Sequence, residues 1–190
     1  MEYNEFYNKN ERYYHNIFHV NRLLEEYKKH KEEFKKEYID YNEDDLITAI
    51  KWHDSFYEIG NSENEVRSAL LYKDNVEKAK QSVVDIIEST ALSNKVFDTN
   101  EKKIMHDLDY CAFIDVNYFR ITSKLIRNEA IELGNYDEIL VIDNQIKFYK
   151  KLLEKPMYLT KTYSKYNEVV KNNLVIIINE LIEIRLEMGE

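Results

Sequence analysis

His53 and Asp54 are adjacent, and they close a stretch where polar groups are out of place. At helical spacing, Leu46, Ile50, His53, Asp54 and Tyr57 share one face. A face that begins with Leu and Ile points into a core. A carboxylate there is costly unless it is paired, hydrogen-bonded or bound to a cation. Two further polar side chains share this property. His19 lies in a helical pattern with Ile17, Val20, Leu24, Tyr27 and Phe34, and Asp109 follows Ile104, Met105 and Leu108 on a face that Asp107 does not join. Two imidazoles and two carboxylates suit a divalent transition metal. The same groups also suit ordinary core hydrogen bonds, imidazole to carbonyl and carboxylate to a helix N-terminus. Spacing alone leaves both readings open, because three separate helices must converge.

The elements that would position these groups are all helical in pattern. A helix begins near Tyr14 and places His15 and His19 at i and i+4. Asn42 or Glu43 leads into the helix that carries His53 and Asp54, with Asp44 and Asp45 suiting its positive end. Ser62 and Glu65 read as a capping box after Gly60. The stripe Val76, Ala79, Val83, Ile86 and Ile87 follows. Asp98 or Thr99 caps the helix of Asp109. Helices then run over 118–133, ending at Gly134 as a C′ residue, and over 136–153 and 166–188, the last with Val170, Leu174, Ile177, Ile178, Leu181 and Ile184 as its buried side. Residues 1–12 read as a short helix or arm. No strand pattern, repeat or linker is visible. The expectation is an all-α, single-domain helical bundle over 1–190, with a metal-binding core at about 12–130 and C-terminal helices at about 136–188 packing on it.

Bulk properties narrow the functions. The chain has 190 residues, enough for one full core, with a net charge of −9 that disfavours broad nucleic-acid or anionic-membrane binding. The longest aliphatic run, Leu174–Ile178, is too short to span a bilayer, and the start of the chain has no signal-peptide pattern. Cys111 is alone, so no disulfide framework is expected and a cytoplasmic setting is the default. With three Gly and one Pro there is little room for a turn-rich sheet fold. There is no Gly-rich phosphate loop and no nucleophile elbow. His30 and His106 read as surface residues.

Several stretches carry a family likeness: Arg12 to His19, Trp52 to Glu58, Asn64 to Ala69, Asp107-Leu108-Asp109, Ile126-Arg127-Asn128-Glu129 and Lys155 to Thr160. Their order, His, then His-Asp, then Asp on a helical chain, resembles the HD superfamily of metal-dependent phosphohydrolases. More narrowly it is similar to the small bacterial family described as predicted metal-dependent HD phosphohydrolases. The resemblance implies a helical bundle and a divalent ion (Mn, Mg, Fe, Co, Ni or Zn) held by His19, His53, Asp54 and Asp109. It implies a phosphate ester or anhydride as substrate, with a nucleotide the class by analogy. Asp54 or Glu58, four residues on, would take the proton of an attacking water. His15 would touch a phosphate; Arg127 would clamp one, or else pair with Glu129 at the surface. Tyr158 and Thr160 would line the pocket, with packing as their competing role. The family usually carries a His after Thr90, and Ala91-Leu92-Ser93-Asn94 supplies none, which favours one metal per site. It also favours the alternative of an HD-fold module that senses a nucleotide without turning it over. A third reading is a helical interaction protein that uses the Leu174–Ile184 stripe. The assembly expected is a monomer or homodimer.

Overall fold

A computed structural model describes residues 2–7, 12–93 and 96–189. Parts of the expected N-terminal arm (8–11) and of the loop after residue 93 (94–95) lie outside the described residues. Among those described there is no strand. The helices are α1 (Asn4–Tyr7), α2 (Ile17–Glu37), α3 (Glu43–Trp52), α4 (Asn64–Asn75), α5 (Gln81–Glu88), α6 (Asn100–Asp109), α7 (Val116–Asn128), α8 (Glu138–Leu152), α9 (Lys161–Ser164) and α10 (Asn167–Glu187). A 3-10 turn at Cys111–Ile114 joins α6 to α7, and a π-helical turn, Glu129–Leu133, extends α7.

Caps fix where the helices begin. Asn16 accepts from the Phe18 N–H at 2.9 Å, so α2 starts at Ile17 and the segment before it is not helical. Asn42 accepts from the Asp45 N–H at 3.1 Å, and Thr99 from that of Lys102 at 3.3 Å. The expected capping box at Ser62 and Glu65 does not form. Glu63 holds the N-cap position of α4 without a side-chain bond, because Asn61 and Asn64 commit the preceding loop to other contacts. Gly134 does not adopt the left-handed conformation expected at a C′ position (φ −87°); that falls to Asn135 at φ 53°. Gly134 is required by space instead. A Cβ there would lie 2.6 Å from both the Ala130 carbonyl oxygen and the Tyr136 ring.

The core forms where α2, α3, α5 and α6 meet. Val20, Leu23 and Phe34 of α2 pack with Leu46, Ala49 and Ile50 of α3, with Ile87 of α5, and with Ile104, Met105 and Leu108 of α6. Each such aliphatic side chain stabilises the fold by about 1.5–3 kcal/mol. The α4–α5 pair packs on α3, while α10 runs along α8 and touches α7 and the 3-10 turn. Val170, Leu174, Ile177, Ile178 and Leu181 are thereby buried inside the chain. The interaction-protein reading of that stripe is corrected: α7 and α8 already cover it.

Of three polar residues that pattern placed elsewhere, Asp107 and His30 are buried and His106 is half-buried. Asp107 is fully buried and accepts from the Leu159 N–H (2.9 Å), the Thr160 N–H (2.8 Å) and the Thr160 hydroxyl (2.7 Å). His30 is buried against Tyr163 and Phe34, within 3.0 Å of Glu33 and 3.6 Å of Glu26. His106 is half-buried between Phe97 and Tyr110, with Nε2 3.0 Å from the Met157 carbonyl oxygen. All three serve the strap of residues 155–160 or the α9 region, which arrive from far along the chain.

Asp107→Ala should lower unfolding free energy by about 3 kcal/mol, since it leaves the buried Thr160 N–H and hydroxyl and the part-buried Leu159 N–H without their acceptor. Asp107→Asn, which keeps one acceptor, should cost less. Urea unfolding of the two variants checks this; near-equal, negligible losses would mean that the strap is held without Asp107.

Candidate metal centre

The helix of His53 ends earlier than its pattern implies. α3 stops at Trp52, His53 is its C-cap, and Asp54 lies in the turn beyond. Side chains from elsewhere build this turn. The Tyr7 hydroxyl donates to the Lys51 carbonyl oxygen (3.0 Å) and accepts from the Asp54 N–H (3.3 Å). Arg12 donates to the Asp54 carbonyl oxygen at 2.8 Å. Ser68 of α4 bonds both backbone groups of Phe56, and Asn64 both of Glu58. A non-helical backbone with its polar groups satisfied in this way can present side chains that a helix would carry past the core.

Into this frame come one side chain from α2, two from the end of α3 and one from the end of α6. His53 Nε2 lies 3.1 Å from Asp54 Oδ2, 3.3 Å from His19 Nε2 and 3.8 Å from Asp109 Oδ1. His19 Nε2 lies 3.2 Å from Asp109 Oδ1 and 3.7 Å from Asp54 Oδ2. Ligand atoms of His19, His53 and Asp54 all fall within 4.8 Å of one another. A tetrahedral ion with bonds of about 2.1 Å has ligand–ligand edges of about 3.4 Å, in the middle of this range. The buried group His19–His53–Asp54 can therefore hold a metal ion.

The donor chemistry fits as well as the distances. His53 Nδ1 sits 2.9 Å from the Ile50 carbonyl oxygen, so its proton is fixed on that side. The Nε2 lone pair then faces a carboxylate and a second imidazole, which repels unless a positive charge lies among them. A proton is one such charge. Burial alone would lower the His53 pKa, but the charge and hydrogen bond of Asp54, with Asp109 behind it, raise it to about 9. Burial pushes the Asp54 and Asp109 carboxyls up, and the two imidazoles more than reverse this, holding both below the usual carboxylate range. The ring of Tyr14 lies over His19 at 4.8 Å.

The other candidate residues are placed differently. His15 precedes α2 rather than lying on it. Its ring stacks on Tyr57 at 3.7 Å, and Nδ1 is 3.0 Å from a carboxylate oxygen of Glu129. Glu58 turns away: the chain at 54–58 is not helical, so the i+4 relation to Asp54 fails, and its carboxylate accepts from Asn61 at 2.8 Å and lies 3.9 Å from Arg67. Arg127 donates to Gln145 at 3.3 Å and makes no contact with the cluster. Glu129 is not its surface partner but a buried residue, 1% exposed. Tyr158 is a core residue whose hydroxyl donates to the Tyr110 carbonyl oxygen at 2.9 Å; Thr160 is fully buried and bonded to Asp107.

Pattern reading missed three groups near the cluster. Glu65, assigned to a cap, is half-buried; burial and the charges of Asp54 and Asp109 raise its pKa. Arg12 and Glu129 are buried beside His15 and the 53–54 turn. No signal at helical spacing marks any of them, because their partners lie far away in sequence. The sequence matches no family model, no curated protein and no solved structure. No helix among the described residues is long and apolar enough to cross a membrane.

In metal-stripped protein, His53 binds its proton more tightly folded (about 9) than unfolded (6.5). That contribution to stability is complete below about pH 6.5 and is lost as pH rises through about 9. Metal-loaded protein should show the opposite slope, since an ion must displace that proton. Urea unfolding at about pH 6 and pH 9.5, with and without chelator, tests this; parallel slopes would show that no ion enters.

Proposed function

We propose that the chain is a metal-dependent phosphohydrolase of the HD type, acting on a phosphate ester or anhydride, with nucleotides as the substrate class. The observation that supports this most is the group His19, His53 and Asp54, whose ligand atoms lie close enough together for one divalent ion, with Asp109 Oδ1 beside it at 3.2 Å from His19 Nε2. Mn, Mg, Fe, Co, Ni and Zn are the candidate ions, one per site. When bound, such an ion supplies a water acidified toward neutrality and a Lewis acid for phosphoryl oxygens.

The remaining chemistry belongs to the chain. His53, oriented by the Ile50 carbonyl, and His19, covered by Tyr14, are the buried imidazoles that would hold the ion. Asp54 and Asp109 are the more exposed pair, with side chains 14% and 25% accessible, so the open side of the centre is theirs. Asp54 is the proton acceptor assigned from sequence. His15 is joined to the 53–54 turn through Arg12, which donates to the backbone carbonyl oxygens of both His15 and Asp54, and is assigned to a phosphate oxygen.

The run after Thr90 lacks the extra His of the family it resembles. That observation favours a second reading, a module that binds a nucleotide without turning it over.

The test is phosphate release from mono-, di- and triphosphate nucleotides and a generic phosphomonoester with each candidate ion, with cyclic nucleotides followed by chromatography. Asp54→Ala should lose turnover by at least about 100-fold together with bound metal, while circular dichroism stays unchanged. Turnover unaffected in that variant would overturn the site assignment. Thermal stabilisation by a nucleotide with no product from any substrate would establish the sensor reading instead.

A further inference from the structure

Beside the proposed metal centre lies a cleft of about 640 Å³, walled by Arg12, Tyr57, Ile59, Glu129 and Leu133 with Glu58 at its rim. Two of its walls are buried charges with unspent hydrogen-bonding capacity. Glu129 Oε2 receives the Tyr14 and His15 N–H groups and His15 Nδ1, whereas Oε1 is buried without a partner among the described residues. Arg12 uses one terminal nitrogen on the His15 and Asp54 carbonyl oxygens, and its buried Nε has no partner among the described residues. The two are close enough for Glu129 to raise the Arg12 pKa against the lowering effect of burial. They nevertheless make no ion pair.

Leaving such atoms unpaired is costly, so a group that can reach them from the cleft is favoured. An anion would meet Glu129 and Glu58. A cation would meet Arg12. The group that satisfies both is neutral and both donates and accepts, as a hydroxyl does. The Tyr57 ring, Ile59 and Leu133 offer apolar faces for the C–H side of a sugar.

We propose that this cleft binds the hydroxylated, uncharged part of a phosphorylated sugar, with a hydroxyl donating to Glu129 Oε1 and accepting from the Arg12 guanidinium. The placement of the phosphate toward His19, His53, Asp54 and Asp109 rests on the phosphohydrolase reading above. The path between the two is short, since Arg12 donates to the backbone carbonyl oxygens of both His15 and Asp54, and Glu129 bonds His15. Glu129 and Arg12 are then the residues that select the substrate by its hydroxyls.

The experiment is calorimetric binding of adenosine 5′-monophosphate, its 2′- and 3′-deoxy forms, D-ribose 5-phosphate, adenosine and inorganic phosphate to the metal-loaded full chain. At least one deoxy form should bind about 10-fold or more weakly than its parent. Glu129→Gln puts an N–H₂ donor where the carboxylate accepted, and should erase that preference. Leu133→Trp, on the exposed wall, should weaken both sugar phosphates by a similar factor without touching a buried group. D-ribose 5-phosphate held as tightly as the nucleotide would identify the sugar alone as the ligand; a further gain from the base would identify the nucleotide.

Equal affinity for parent and both deoxy forms, a preference that survives both substitutions, or no binding of any sugar would overturn the cleft assignment. The two readings fail separately. A Glu129-dependent hydroxyl preference for uncharged adenosine, with phosphate binding indifferent to Asp54→Ala, would leave the cleft and remove the phosphohydrolase. Metal-dependent hydrolysis of phenyl phosphate without any hydroxyl preference would do the reverse.

Discussion

Two imidazoles and two carboxylates meet at the junction of α2, α3 and α6, and drawing them together out of water carries a local cost. Everything around them works against that cost. The Ile50 carbonyl fixes one ring, the Tyr14 ring covers the other, and the mutual attraction of His53 with Asp54 and Asp109 outweighs burial for all three. An arrangement of this kind is poor as a pure stabiliser, because apolar side chains of similar volume would pack there at lower cost. Its persistence in an otherwise aliphatic core is what makes it a candidate for chemistry.

The second constraint is the backbone that presents these groups. A regular helix through 46–57 would sweep His53, Asp54 and Tyr57 along one face. The chain instead leaves the helix at Trp52 and folds back through 54–61, and four side chains, from Tyr7, Arg12, Asn64 and Ser68, take over the hydrogen bonds that a helix would have made. The turn is thus a joint product of the N-terminal segment, α3 and α4. Tyr57 gains its place against His15 only because of this fold-back.

The all-helical architecture was legible in the sequence because apolar spacing at a period of 3.6 and the Asn42 and Thr99 caps are local signals. His19, His53, Asp54 and Asp109 stood out for a related reason: charge on an apolar stripe contradicts its neighbours. The misreadings share the opposite cause. Asp107 and Glu129 find their partners through tertiary contacts with 155–160 and 14–15, and no window of sequence contains both halves; His30 has its polar partners on its own helix, but Tyr163, which buries it, is equally distant. Ser62 and Glu65 matched a capping pattern that the Asn61 and Asn64 contacts displace, and Glu58 was carried by a helical rule into a stretch that is not helical. Tyr158, placed at a pocket wall by resemblance, is spent on the Tyr110 carbonyl.

The Glu129 tether spans 114 residues, from the π-helical turn back to His15. During synthesis the chain is made from its N-terminus, so the segment with Tyr14 and His15 is finished long before the residue that anchors it. The apolar pairing of α2 with α3 can form as soon as both have emerged, but the lining around Arg12 and His15 must wait for Glu129. Long-range contacts of this sort close late, because the loop entropy must be met before the contact stabilises anything. The α2–α3 part of the core can therefore form before the walls beside the charged centre are complete, and a chain halted before residue 129 would carry His19, His53 and Asp54 without the neighbours that shape access to them.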